Sequence, residues 1–160
     1  MLNSPRKFYE GLIAAGTVFQ SCLLLAIRLY WGGSFFWGGW AKLTHIEPVV
    51  EFFTSLGIPF PALNAYLVGG VECIGGLCLL IGFGSRLVAI PLAITMLVAL
   101  LTVNYAVVAN AFEDPLLLTQ QTPFNYLFAA LLVFAFGPGN ISLDYLLERR
   151  FKPKKVDLLP

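Results

Sequence analysis

The sequence predicts an all-α membrane protein: a four-transmembrane-helix bundle with a short amphipathic helix between spans 1 and 2. Three observations predict it. Hydrophobic residues make up 58% of the 160 residues and charged residues only 12%, against about 25% charged in soluble domains. Mean hydropathy is +0.80, which is more apolar surface than a soluble chain of one-domain length can bury. The apolar residues fall into long runs separated by short polar or Gly-Pro breaks, and about 20 such residues cross a hydrocarbon core as a helix.

The elements follow in chain order. Residues 1–16 read as an N-terminal arm, polar over its first ten residues with Arg6, Lys7 and Glu10. Residues 17–140 read as one four-span domain, with spans at about 17–41, 62–83, 87–109 and 123–137. The first apolar run is long enough to span rather than to be a cleaved leader. It puts Arg28 near the bilayer midplane and Lys42 at the far surface, where a lysine can snorkel. Residues 46–57 read as the amphipathic helix. Pro48 suits its first turn, Gly57 its C-terminal cap, and Val49, Phe52, Phe53 and Leu56 one apolar face. Span 2 carries Glu72 near its middle. Gly82-Phe-Gly-Ser-Arg86 is a tight turn into span 3, which holds Asn104 near its outer end. Span 4 is short unless it continues past Gly137-Pro-Gly-Asn140. Residues 141–160 read as an amphipathic and then Lys-rich tail.

Lysine and arginine counts near span ends set orientation. Arg6, Lys7, Arg86, Arg149, Arg150, Lys152, Lys154 and Lys155 fall on one side. Lys42 with Glu47, Glu51, Glu113 and Asp114 falls on the other. The expectation is a multi-pass protein of the bacterial cytoplasmic (inner) membrane with both termini in the cytoplasm.

Charge inside a span marks the candidate site, because Arg or Asp at a helix centre costs about 2.5–3.5 kcal/mol on insertion scales. Arg28, Gly32, Phe35, Gly39 and Lys42 recur at steps of four, three, four and three, so one helical face carries both cations and two glycines. Gly69 and Gly76 flank Glu72 at the same spacing of seven, and small residues let membrane helices approach closely. Spans 1 and 2 are consecutive and antiparallel, and this predicts a buried Arg28–Glu72 ion pair on the close-packed faces. Two roles stay open for that pair: a device that fixes packing, or a polar anchor for a ligand head group or proton. Lys42, Arg86 and Asn104 complete the candidate polar network, with interfacial anchoring as the plainer role of each. Trp31, Trp37 and Trp40 are either packing and interface aromatics or the wall of a flat slot for a planar ring such as a quinone. His45 is a solvated histidine or a donor to a quinone carbonyl.

Other chemistries find no support. Cys22, Cys73 and Cys78 lie in apolar runs with no C-x-x-C pair and no zinc spacing, so they read as small buried hydrophobes and no metal site is expected. One histidine cannot supply a bis-histidine haem. No phosphate-cradling glycine loop, H-E-x-x-H or Ser–His–Asp grouping is present. The basic tail suits anionic lipid, not nucleic acid.

The ordered set Arg28-x-x-x-Gly32-x-x-Phe35-x-x-x-Gly39-x-x-Lys42, then Phe53-x-x-x-Gly57-Ile-Pro59, Glu72-x-x-Gly-Gly76 and Gly84-x-Arg86 resembles the DoxX family of small bacterial membrane proteins, over roughly residues 20–110. The resemblance implies a four-helix bundle in the cytoplasmic membrane. It also implies a redox setting: relatives include a subunit of a thiosulfate:quinone oxidoreductase and a membrane component grouped with superoxide dismutase and a sulfurtransferase. Arg28, Lys42, Glu72 and Arg86 are the charged part of the family pattern. Two functions follow as expectations. One is a redox-associated component, linked to quinone or thiol chemistry, with no cofactor of its own and electrons from a partner or a bound quinone. The other is a non-catalytic structural or assembly subunit. Partners are the bilayer and either other membrane subunits or further copies of the chain.

Overall fold

A computed structural model describes residues 3–151, with side chains from Lys7 onward. Arg6 as a side chain, and the tail cations Lys152, Lys154 and Lys155, lie outside the described residues. The described chain is helical throughout, with turns between helices and no strand among the described residues. A single run crosses the bundle first: α1 (Asn3–Ile27), a π-helical segment (Arg28–Gly32) and α2 (Gly33–Thr44). Then come α3 (Ile46–Ser55), α4 (Pro61–Ile81), α5 (Ser85–Thr102), the single-turn helices α6 (Tyr105–Ala109) and α7 (Pro115–Thr119), α8 (Thr122–Phe136) and α9 (Leu143–Phe151).

Chain punctuation explains the boundaries. Pro61, Pro115 and Pro123 sit in first turns, where a missing N–H leaves no bond unmade. Gly82 and Gly84, at φ +72° and +55°, make the left-handed turn between α4 and α5, a conformation that only glycine adopts without penalty. Gly137, at φ +77°, ends α8 after 15 residues, so span 4 does not run on past 137–140. At 1.5 Å per residue α8 reaches only about 22 Å, whereas the 21 residues of α4 reach about 31 Å, the thickness of a hydrocarbon core. Lys7–Thr44, α4 and α5 are long and apolar enough to cross a membrane, and α8 is a shorter apolar helix.

Two helix pairs make the bundle, α2 on α4 and α5 on α8, joined where α4 packs on α5. Phe35, Leu79, Leu92, Met96, Ala130 and Val133 form the buried core. Glycine sets the α2–α4 approach. A Cβ on Gly39 would lie 2.3 Å from the Cys73 backbone nitrogen, and one on Gly76 would lie 2.4 Å from that of Phe36. Gly32 meets Leu80 and Gly76 in the same way, and Gly69 meets Leu43. The packing glycines expected from spacing are therefore the contact points of the two helices.

Several expected elements differ. The chain is already helical at Asn3, well before residue 17, and residues 7–20 are exposed on every side, Cys22 being exposed as well. Span 3 breaks at Val103–Asn104 and resumes as the separate α6. The half-buried side of α3 is Ile46, Val49, Val50 and Phe53, at steps of three and four, while Phe52 and Leu56 face out. Its contact is with α4, which selects the stripe that points at that helix.

The fold has two ends. The loop end carries α3, α6 and α7. At the opposite end α1 enters, the α4–α5 turn lies, and the chain folds back after α8 into α9. We call this second end the terminal end.

Candidate functional site

Arg28, Phe35 and Gly39 on the predicted face are buried, with Arg28 only 1% exposed. Glu72 is 3% exposed. They do not pair. Glu72 Oε2 meets Lys42 Nζ at 2.5 Å, and Arg28 Nη2 donates to the Ile141 carbonyl. The expected Arg28–Glu72 pair is therefore corrected to two separate centres.

Register and side-chain direction explain the correction. Gly39 lies against Gly69 and Cys73, and Gly32 against Gly76 and Leu80. That register levels Glu72 with Gly38, whose Cβ would stand 3.7 Å from Glu72 Oε2. Arg28 lies ten residues earlier, about 15 Å along the helix. It is thus at the terminal end, level with the turn after α4, and not at the midplane. Helical side chains also lean toward their own N-terminus. Lys42, near the end of α2, leans back into the bundle instead of outward to the surface. Glu72, on antiparallel α4, leans toward the loop end and meets it. Arg28 leans away from both.

The Lys42–Glu72 centre sits mid-depth on α4. Side-chain exposure is 34% for Lys42 and 5% for Glu72, so the pair is reached from the lysine side. Gly38 leaves a notch over it, its Cβ position lying within 4 Å of both charged atoms. Tyr126 of α8 and Ser34 lie near this centre. Its ring packs edge-on against Trp31 at 4.9 Å and Phe35 at 4.6 Å between centroids. Sequence spacing alone did not single out Tyr126, because α8 carries no charge to mark a face.

Of the three tryptophans, only Trp31 joins that cluster. Trp37 and Trp40 are 66% and 50% exposed and contact Phe36 on the outer surface. One continuous ring wall is therefore not formed, as expected for residues spread around 3.6-residue turns. The bundle's apolar groove, about 370 Å³, lies between α4 and α5 and is lined by Tyr66, Leu67, Gly70, Ile74, Val88 and Pro91 among others. None of the charged side chains lines it.

The remaining candidates occupy other places. Asn104 sits at the break after α5 and donates to Gln121 Oε1 at 2.5 Å, which ties α6 to the start of α8 and does not touch Glu72. His45 contacts the neighbouring Thr44 hydroxyl at 3.1 Å on the exposed loop end. Arg86 is exposed, near Gly137 and 3.5 Å from the Ala135 carbonyl.

The terminal centre is built on Arg28. Its guanidinium lies beneath Gly82, where a Cβ would collide with Nη1. Asp144, in the first turn of α9, accepts from Gly84 N at 2.7 Å and Ser85 N at 3.0 Å, capping α5 from a distance. Its own N–H donates to the Gly82 carbonyl at 2.9 Å. Its charge acts on Arg28.

Helices of membrane-crossing length, packed through glycine around a buried carboxylate paired with a half-buried lysine, define a small polytopic membrane protein. The model of the DoxX family matches residues 23–105, the stretch that holds Arg28, Lys42, Glu72 and Arg86. The chain is 34% identical over 126 residues to a Bacillus subtilis (strain 168) protein named "Putative oxidoreductase CatD", covering 74% of this chain and 92% of that one. It is 30% identical over 150 residues to the "Inner membrane protein YphA" of Escherichia coli (strain K12), covering 89% and 99%. The chain belongs to the DoxX family. No solved structure matches it.

Proposed function

We propose that this DoxX protein is a redox-associated component of a bacterial inner membrane, and that its Lys42–Glu72 centre binds a quinone-type ring. The observation that carries the reading is a carboxylate buried at mid-depth, salt-bridged to a lysine that is itself partly open, with Gly38 beside both charged atoms. A buried ion pair kept for packing alone gains little over apolar residues of the same volume. One that is open on one side can exchange its partner for a ligand. The relatives' names, an oxidoreductase and an inner membrane protein, agree with the setting.

The residues present fit such a ligand. Lys42 is placed to donate to a carbonyl oxygen from the open side. Tyr126 offers its phenolic hydroxyl as a second donor, its ring set by Trp31 and Phe35. Glu72 can hold or release a proton at its carboxylate beside the lysine. Trp31 and Phe35 fix the Tyr126 ring through edge contacts, while the packed α2–α4 glycine seam excludes water from the far side. A bound quinone would supply two-electron, two-proton redox chemistry, with electrons from a partner. The same reading puts both termini in the cytoplasm, and it is supported by Lys7, Arg86, Arg149 and Arg150 at the terminal end against Lys42 with four acidic residues at the loop end.

A second reading, a non-catalytic assembly subunit, draws on α1. Its residues 7–20 extend beyond the bundle and expose Phe8, Leu12 and Phe19. One experiment separates the two. Protein reconstituted in nanodiscs is titrated with a water-soluble quinone analogue, alongside Glu72→Gln and Lys42→Met. Saturable binding weakened tenfold or more by either substitution supports the ligand site. Binding that is absent, or equal in all three proteins, rejects it in favour of the assembly reading.

A further inference from the structure

The terminal centre holds more hydrogen-bond donors than its acceptors use. Asp144 takes the backbone N–H groups of Gly84 and Ser85 at the start of α5, an 18-residue helix whose first N–H groups have no partner within the helix. Ser85 is fully buried, and its Oγ has no partner. Arg28, 1% exposed, spends Nη2 on Ile141, while its Nε and Nη1 have no partner. Buried donors are otherwise almost always satisfied, and an unmatched guanidinium is the costliest kind. Two backbone N–H groups and a hydroxyl at one helix start, with a guanidinium beneath the turn that precedes it at Gly82, make a donor set suited to tetrahedral oxyanions. A carboxylate has two oxygens and fills that set only in part.

We propose that the start of α5, Ser85 and Arg28 form an oxyanion site that Asp144 fills as a tethered stand-in, and that release of α9 admits a phosphate-class anion. Asp144 stands where two of the phosphate oxygens would lie, and the remaining oxygens take the Ser85 and Arg28 donors. An open pocket of about 610 Å³ borders the site, lined by Gly84, Asp144, Arg86, Tyr145 and Glu148. Arg86 and Glu148 both line that approach. The site lies at the membrane-boundary end of the bundle, so the anion is either free phosphate or the headgroup of an anionic phospholipid. A tethered group competes at an effective concentration of about millimolar, so α9 keeps the site closed to dilute anions. The inference is independent of the quinone reading, since the two centres lie at different depths and share no residue.

The test uses the full chain in maltoside micelles, which contain no phosphate. Melting temperature is followed against sodium phosphate at ionic strength matched with sodium chloride, and separately against added phosphatidylglycerol, for the unaltered protein, Asp144→Ala and Asp144→Asn. The Asp144 variants should melt lower than the parent without ligand and recover saturably with one ligand, at a concentration at least tenfold below that needed by the parent. Recovery with phosphate identifies a free anion as the source; recovery with phosphatidylglycerol alone identifies lipid. Adding Ser85→Ala should weaken that response about tenfold, the effect of one lost hydrogen bond to a charged group. In the unaltered protein, saturating ligand should raise amide exchange across residues 143–151 as α9 is displaced. The proposal is overturned if neither ligand restores either variant, or if exchange in α9 of the unaltered protein does not change; Asp144 is then a helix cap and nothing more.

Discussion

Gly39→Ala is the most informative single substitution in the α2–α4 seam. The added Cβ would lie 2.3 Å from Cys73 N, 2.7 Å from Gly69 O and 2.8 Å from Cys73 Cα. All three are backbone atoms of α4, so no rotamer change relieves the contact. Ordinary van der Waals separation begins near 3.4 Å, so α2 and α4 must part by about 1 Å. Overpacking of this kind costs about 1–3 kcal/mol and sometimes more, and the loss of contacts along the opened seam puts Gly39→Ala at the upper end of that range. Gly70→Ala is the matched control: it lies on the same helical pair but its Cβ would meet nothing within 4 Å, and helix propensity alone would then favour alanine by about 0.5–1 kcal/mol. Reversible unfolding in mixed micelles, or steric-trap unfolding in bicelles, reads both. The expected gap between the two variants is about 3 kcal/mol. Equal stability of Gly39→Ala and Gly70→Ala would refute the glycine register, and with it the levels assigned to Glu72 and Arg28.

Three further outcomes follow from the geometry. Gly82→Ala combines a left-handed backbone at φ +72° with a Cβ driven into the Arg28 guanidinium, and should lose more than about 2 kcal/mol, read as a fall in melting temperature. Asn104→Ala removes the bond to Gln121 and should cost about 1 kcal/mol, with faster proteolysis in residues 103–121 but unchanged quinone-analogue binding. Trp31→Leu should disturb the Tyr126 cluster and reduce analogue binding, while Trp37→Leu and Trp40→Leu, which face outward, should leave binding within a factor of two.

Much of this fold was legible in the sequence, for physical reasons that also explain where legibility stopped. Membrane burial follows from composition, and the buried face of α2 follows from the spacing of Arg28, Gly32, Phe35, Gly39 and Lys42, because helical periodicity survives in any solvent. The α2–α4 glycine seam was visible as the matching seven-residue spacings of Gly32–Gly39 and Gly69–Gly76. The pairing of Glu72 with Lys42 is not legible from the ends of the first apolar run. The run from Lys7 to Thr44 is 38 residues long, far more than a bilayer needs, so its ends do not mark the membrane. The seam marks it instead. The lean of helical side chains toward their N-terminus was a usable signal for Lys42–Glu72, available from helix direction alone. Asp144 and Tyr126 left no such trace. Asp144 acts through a chain reversal about 60 residues from the helix it caps, and the π-helical turn at Arg28–Gly32 has no composition of its own.

The most direct test of the central claim is a pair of double-mutant cycles on unfolding free energy, Lys42→Gln with Glu72→Gln and Arg28→Gln with Glu72→Gln. The account predicts coupling above about 1 kcal/mol for Lys42 with Glu72, and additivity within about 0.5 kcal/mol for Arg28 with Glu72, as for sites without shared partners. Strong coupling of Arg28 with Glu72, and none with Lys42, would contradict it.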